Sequence, residues 1–317
     1  MKRDLTFVSH GVRCAAWHLP AGNDALAGPL GRPCVVMAHG FGGTRDSGLL
    51  NYAEGFAEAG IDAFVFDYRG FGDSGGTPRQ DVSVRRQRQD YHAALAAARR
   101  LPGVDPHRIV LWGVSYAGGH ALVVAAQDAR VTAVVSLTPV TDGLASLAHL
   151  MRHAGPGRLL RLAGHGLRDT ARALTGRTPH LVPVVGEPGA LAMMGVPHAQ
   201  EICASFAGPT FRNEVCARAA LKVGLNRPTT FVRRLACPIL VQIGTEDRIA
   251  PAGAARRTAR KAGRWGELRE YPVDHLDVYA GPGQQRALAD QLAFLSRVLD
   301  PTRAARHPGG HRAPRAE

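Results

Sequence analysis

Continuous apolar runs recur along the chain at residues 33–38, 61–66, 109–114, 131–137 and 237–244. They do not alternate apolar with polar, so both faces of each segment must be covered. That is the pattern of strands in a parallel sheet with helices on either side. Stretches of helical character lie between them: 46–59, stopped by Gly60 in the C′ position, then 81–100, 121–127 and 252–262, with a final helix at 284–299. The segment 81–100 is acidic at its start and basic at its end, which suits the helix dipole. Residues 5–8 and 12–19 read as two strands joined at His10-Gly11, a hairpin, and 267–271 reads as one more strand.

The rhythm changes after Pro139. From 141 to 231 the chain is rich in Gly, Pro, His and Arg, with short apolar patches at 144–151, 181–185 and 191–194. A core that pauses and later resumes predicts an insertion. The expected organisation is a core in two parts, 1–140 and 232–300, with a mostly helical cap at 141–231 over the C-terminal strand ends. Residues 301–317 are expected to be a disordered basic tail.

Chemistry concentrates at the ends of the apolar runs. The run 109–114 leads into Gly113-Val114-Ser115-Tyr116-Ala117-Gly118-Gly119 and then a helix. Strand, sharp turn, helix is the setting that lifts a serine out of a sheet as a nucleophile. Gly113 and Ala117 fall where strand and helix nearly touch, so small residues are required there. The common pattern ends in Gly; Ala117 departs from it by one methyl. Gly72-Asp73-Ser74-Gly75-Gly76 matches the same pattern, but no strand runs into it and Pro78 follows instead of a helix. Ser74 is therefore read as a turn residue, at most lining the site.

A glycine-rich loop, His39-Gly40-Phe41-Gly42-Gly43, follows the run 33–38. Its free N–H groups suit an oxyanion hole, with Phe41 as one donor and Tyr116, after the serine, as the other. His39 is expected to brace that loop. For the acid, Asp247 is preferred in the loop after 237–244, with Glu246 and then Asp142 as competitors. His275 stands between Asp274 and Leu276-Asp277 in a turn before the last helix, a setting for a base and not for core packing. His149 and His153, four apart, could share a helix face toward a metal, but no third ligand is near.

The order Ser115, Asp247, His275, with a His-Gly-x loop upstream and a cap between the sixth and seventh strands, resembles the α/β-hydrolase superfamily. The likeness spans residues 1–300. It implies an α/β-hydrolase fold: a mostly parallel eight-stranded sheet, helices on both faces and an inserted cap. Within it, Asp67-Tyr68-Arg69-Gly70-Phe71-Gly72-Asp73-Ser74-Gly75 and His275-Leu276-Asp277-Val278-Tyr279 look most like the esterase-like and acyltransferase-like group that includes polyketide-associated and X-Pro peptidase-like hydrolases. A serine nucleophile sets aside the epoxide-hydrolase and haloalkane-dehalogenase branches. The resemblance implies a carboxylic-ester or thioester hydrolase acting on a small acyl substrate, with no cofactor and no metal. An acyltransferase, and a binding protein on a hydrolase scaffold, are the alternatives.

Composition changes this picture little. The net charge of +13 invites a nucleic-acid reading, but the basic residues are nearly all arginine and scattered, with no stripe interleaved with aromatics. The arginines could instead attract an anionic acyl substrate, such as a phosphopantetheine or coenzyme A ester; nothing in the sequence places them around the site. No run approaches a membrane span, and the N-terminus lacks the apolar core of a secretory signal. Five widely spaced cysteines, with no Cys-x-x-Cys, are expected to be buried thiols in a reducing cytoplasm.

Overall fold

The computed structural model describes residues 1–300; the tail expected to be disordered, 301–317, lies outside them. Eight strands form one sheet: β1 (Arg3–Ser9), β2 (Val12–Leu19), β3 (Arg32–Ala38), β4 (Asp62–Phe66), β5 (Val104–Val114), β6 (Val131–Leu137), β7 (Ile239–Gly244) and β8 (Gly266–Tyr271). The spatial order is β1-β2-β4-β3-β5-β6-β7-β8. β1 and β2 are an antiparallel hairpin, and β2 lies antiparallel to β4. Every pairing from β4 to β8 is parallel. The strands β3, β4, β6 and β7 are buried along nearly their whole length, as their unbroken apolar runs require.

Two cores follow, one per face. On one side α1 (Leu50–Glu58) and α7 (Gly281–Val298) bring Tyr52, Phe56, Phe294 and Leu295 against Val35, Val65, Trp112 and Val135. On the other, α2 (Val84–Ala98), α3 (Tyr116–Gln127) and α6 (Ala252–Lys261) cover Val36, Phe66, Leu111 and Val241. The first core also closes a polar chain: Trp112 Nε1 donates to Gln291 at 2.9 Å, Gln291 to Gln242 at 2.6 Å, and Gln242 to the Tyr271 hydroxyl at 2.6 Å. Each buried donor there is matched, so the chain ties α7 to three strands without an orphaned polar group.

The first expected helix begins later than its amphipathic pattern indicates. α1 starts at Leu50, not at residue 46, because Gly48 holds φ +72, a left-handed conformation no helix can continue through. Asp46 is drawn elsewhere: its carboxylate accepts from the Thr210 N–H at 2.9 Å and hydroxyl at 2.8 Å, pinning a loop of the inserted segment.

Between β6 and β7 the chain leaves the sheet. α4 (Gly143–Leu174) is two helices merged across a kink, with Gly155 at φ 76 and Pro156 after it. α5 (Ala199–Phe206), short 3₁₀ turns over 217–234 and two-residue strand ladders complete the segment. Gly143 starts α4 against the opposite backbone: a Cβ there would stand 1.9 Å from the Val223 carbonyl oxygen. The buried Asp169 carboxylate is the main clip, accepting from the His180 N–H at 2.8 Å, the Arg218 N–H at 3.0 Å and Arg218 Nε at 2.6 Å. Burial alone would raise its pKa, but these partners outweigh it and hold the carboxyl below its ordinary value.

Asp169→Ala therefore leaves Arg218 beside an empty, buried site and should lower unfolding free energy by about 3 kcal/mol near neutrality. With the folded pKa depressed, the stabilisation is full above the ordinary carboxylate range and is lost as pH falls through the depressed value. Urea titrations of both proteins should converge in acid. A constant gap between them would show that the clip is not electrostatic.

Candidate active site

β5 ends at Val114, and α3 begins at Tyr116. The one residue between them, Ser115, has φ 57 and ψ −117, a strained conformation for a residue with a side chain. The surroundings force it. The Ser115 N–H is bonded to the Leu137 carbonyl at 2.8 Å, and its own carbonyl accepts from Gly118 and Val140. A Cβ on Gly113 would lie 2.3 Å from the Ala117 oxygen, and one on Gly119 2.4 Å from the Val140 oxygen. Strand and helix thus meet at backbone contact, as the small residues anticipate, and Ala117 is accommodated fully buried.

Gly113→Ala has no room to relax, since the atoms it meets are backbone. It is expected to cost about 3 kcal/mol of stability, read from a denaturant midpoint. A midpoint like that of the wild type would mean that the turn is softer than its geometry.

Ser115 Oγ lies 2.9 Å from His275 Nε2, and His275 Nδ1 lies 2.7 Å from Asp247 Oδ2. All three are buried, His275 to 1% exposure. The other carboxylate oxygen of Asp247 accepts from the N–H groups of Ile249 at 2.8 Å and Ala250 at 2.7 Å. The carboxylate is thereby fixed in place before it meets the ring. With Asp247 ionised, Nδ1 carries the proton and donates to it, leaving Nε2 to accept from the serine hydroxyl. The histidine loop is anchored in turn: the His275 N–H donates to Asp274 at 2.7 Å, and the Tyr52 hydroxyl donates to the Val278 carbonyl at 2.6 Å.

The competitors are placed elsewhere. Glu246 is exposed. Asp142 caps α4 and pairs with Arg227 at 3.1 Å. The Ser74 hydroxyl accepts from the Ala15 N–H of β2 and donates to the Asp67 carbonyl, and it is buried. His149 Nε2 bonds to the Arg248 carbonyl, and among the described residues no group of three or more His, Cys, Asp or Glu is arranged to hold a metal. Burial pushes the thiols of Cys14, Cys216 and Cys237 up to about 12, which disfavours them as nucleophiles.

The loop 39–43 packs directly on the serine: a Cβ on Gly40 would be 3.1 Å from the Ser115 Cβ. His39 lies behind it, fully buried, with Nδ1 3.0 Å from the Gly40 carbonyl. Burial lowers its pKa to about 4, so near neutrality it is uncharged and donates to that carbonyl. The rings of Phe41 and Tyr116 meet edge to face at 5.5 Å. Their two N–H groups take part in no hydrogen bond among the described residues. That of Tyr116 also opens α3, where the helix dipole favours negative charge.

Three cavities converge here. The largest, ≈780 Å³, has Phe41, Ser115 and Tyr116 at one end and is walled by α4 and the segment 188–197. A ≈30 Å³ chamber touches Ser115, His275 and Tyr279, and a ≈200 Å³ cavity reaches His275 from the side of Ile202 and Asp274. The large cavity is lined by Leu, Met, Val, Ala and Pro side chains, with His149, His153, Arg158, Arg161 and Arg248 among them. Reasoning from the sequence missed Arg158 and Arg161: their i, i+3 spacing was visible, but so was that of many others in an arginine-rich chain.

Comparison with known proteins agrees with this architecture. A family model described as alpha/beta hydrolase fold matches residues 33–182. The quorum-quenching protein AidA of Acinetobacter baumannii is 36% identical over 298 residues, covering 93% of this chain and 95% of its own. The polyketide transferase af380 of Aspergillus fumigatus is 29% identical over 280 residues, 86% of this chain and 92% of its own. Among solved structures, the alpha/beta hydrolase GrgF from Penicillium superposes with a TM-score of 0.76 at 25% identity, covering 94% of this chain and 99% of that one.

Proposed function

We infer, for a chain that belongs to the α/β-hydrolase family, that it is a serine hydrolase of carboxylic esters or thioesters working through an acyl-enzyme on Ser115. The observation that carries this reading is the continuous hydrogen-bonded series from Ser115 Oγ through His275 to Asp247, at 2.9 and 2.7 Å. His275 Nε2 takes the hydroxyl proton as Oγ attacks the acyl carbon. Asp247 holds the imidazole in the required tautomer and stabilises the imidazolium. The N–H groups of Phe41 and Tyr116 receive the oxyanion. His275 then returns its proton to the departing alcohol or thiol, and the acyl group remains on Oγ.

Release needs a second nucleophile. The ≈30 Å³ chamber beside Ser115 and His275 has room for about one water, which supports hydrolysis. The ≈200 Å³ cavity that reaches His275 beside Ile202 and Asp274 would accommodate an organic acceptor, and this supports the acyltransferase alternative. No helix among the described residues is long and apolar enough to cross a membrane. The five cysteines are free, four of them buried, which suits a reducing cytoplasm.

The test is a panel of p-nitrophenyl esters of graded chain length, run with and without alcohols or amines and with product analysis. Free acid as the main product supports the hydrolase. Ester or amide formed at constant p-nitrophenol release supports the transferase, and no turnover of any ester or thioester would sink both.

A further inference from the structure

The wall of the ≈780 Å³ cavity carries positive charge that nothing in it balances. Arg158 and Arg161 both line it, three residues apart in the second half of α4 and so on one helix face. Arg158 Nη2 donates to the Ala192 carbonyl at 3.0 Å and Arg161 Nη1 to the Gly189 carbonyl at 3.3 Å. Neither meets a carboxylate within ion-pair distance among the described residues, and no Asp or Glu lines the cavity. The Nε of Arg158 is buried with no acceptor.

Arg79, Arg88 and Arg108 are also half-buried with no ion pair among the described residues, but none of them lines these cavities. A half-buried arginine of the inserted segment and the third arginine of the cavity wall each face a carboxylate. Arg218 pairs with Asp169 at 2.6 Å, and Arg248 faces Asp274 at 3.6 Å. Arg158 has a pKa below its ordinary value, through burial first and the charge of Arg161 second. Arg158 is half-buried and Arg161 exposed at the cavity rim; two like charges side by side repel one another until an anion joins them. Space is left for the arrangement: a Cβ on Gly195 would stand 2.3 Å from Arg158 Nη1, so glycine there admits the guanidinium. The rest of the wall near them is apolar, with Leu159, Leu162, Met193 and Met194.

We propose that Arg158 and Arg161 form an anion subsite in this wall, so that the acyl substrate of Ser115 is an apolar chain bearing a carboxylate or a phosphate. The substrate class rests on the serine-hydrolase reading above; the anion subsite itself does not. A planar guanidinium pair fits either anion, with bidentate bonds to its oxygens. The anion can belong to the acyl part, as in a dicarboxylic half-ester, or to the leaving group, as in a coenzyme A thioester.

Two matched pairs separate these sources. Mono-p-nitrophenyl glutarate is compared with p-nitrophenyl valerate, and valeryl-coenzyme A with the valeryl thioester of N-acetylcysteamine. In the doubly substituted Arg158→Gln, Arg161→Gln protein, kcat/KM for the anionic member of at least one pair should fall roughly 10- to 100-fold, the size expected for a lost charged hydrogen bond. The loss should lie in KM, as for an interaction equal in ground and transition states, and the neutral members should change less than about twofold. Gly195→Ala, which keeps both charges but displaces the Arg158 guanidinium, should reproduce part of the effect.

The pair that responds identifies where the anion sits. Equal losses for neutral and anionic members, or none for either, would overturn the subsite. Binding of monoethyl glutarate against ethyl valerate to Ser115→Ala tests the same preference without turnover. An inactive wild type that still prefers the half-ester refutes the serine chemistry and keeps the subsite. Equal binding of the two refutes an anion on the acyl part, and equal binding of coenzyme A and N-acetylcysteamine as well refutes the subsite.

Discussion

Ser115→Ala is expected to lower kcat by roughly 10⁶-fold, the order seen when a serine nucleophile is removed from a pre-organised triad. The proposed acyl-enzyme route depends on one oxygen, Ser115 Oγ, at 2.9 Å from His275 Nε2. What remains is the catalysis that oxyanion donors and substrate binding give to direct attack by water, roughly 10³–10⁴-fold over the uncatalysed rate. The fold should not suffer. Ala occupies the same volume less one oxygen, and the backbone bonds that set φ 57, from Leu137 and to Gly118 and Val140, do not involve the hydroxyl. Steady-state kinetics on the best ester of the panel, with circular dichroism as the control, checks this. A loss of less than about 100-fold would place the nucleophile elsewhere.

Asp247→Asn is expected to lower kcat by about 10⁴-fold with little change in KM. The reason lies in which oxygen does what. Oδ1 is held by the N–H groups of Ile249 and Ala250, so the amide oxygen of Asn takes that place and turns its NH₂ toward His275 Nδ1. Nδ1 must then accept instead of donate. The proton moves to Nε2, which can no longer receive one from Ser115. The imidazolium also loses its counter-charge in a site where Asp247 and His275 are both nearly excluded from solvent. Near-complete activity in Asp247→Asn, with Glu246→Gln or Asp142→Asn inactive, would reassign the acid.

The sheet and the serine turn were legible because their signals are local. An unbroken apolar run such as 131–137 reports a doubly covered strand wherever it occurs. Gly113 and Gly119 report backbone contacts within the same strand–turn–helix unit. His275 stood out through its polar neighbours. The strand order was not legible, because parallel neighbours such as β3 and β5 lie far apart in the chain.

The place and mostly helical character of the inserted segment were legible but its internal structure was not, and its stabilising contacts explain why. Asp169 reaches Arg218, 49 residues on, and Asp46 reaches Thr210, 164 residues on. Such polar clips leave no periodic trace in the sequence. The start of α1 shows the opposite failure, where an amphipathic pattern was present but one glycine at φ +72 overruled it. Arg158 and Arg161 differ from the other arginines only by facing the cavity without a carboxylate, which composition cannot reveal.

The most direct measurement of the central claim is intact mass after treatment with a fluorophosphonate, followed by peptide mapping of the adduct, for the wild type, Ser115→Ala and Ser74→Ala. The expected result is one adduct per chain on the peptide containing Ser115, retained in Ser74→Ala and absent from Ser115→Ala. An adduct that persists in Ser115→Ala, or that maps to Ser74, would contradict the assignment of Ser115 as the acylated residue.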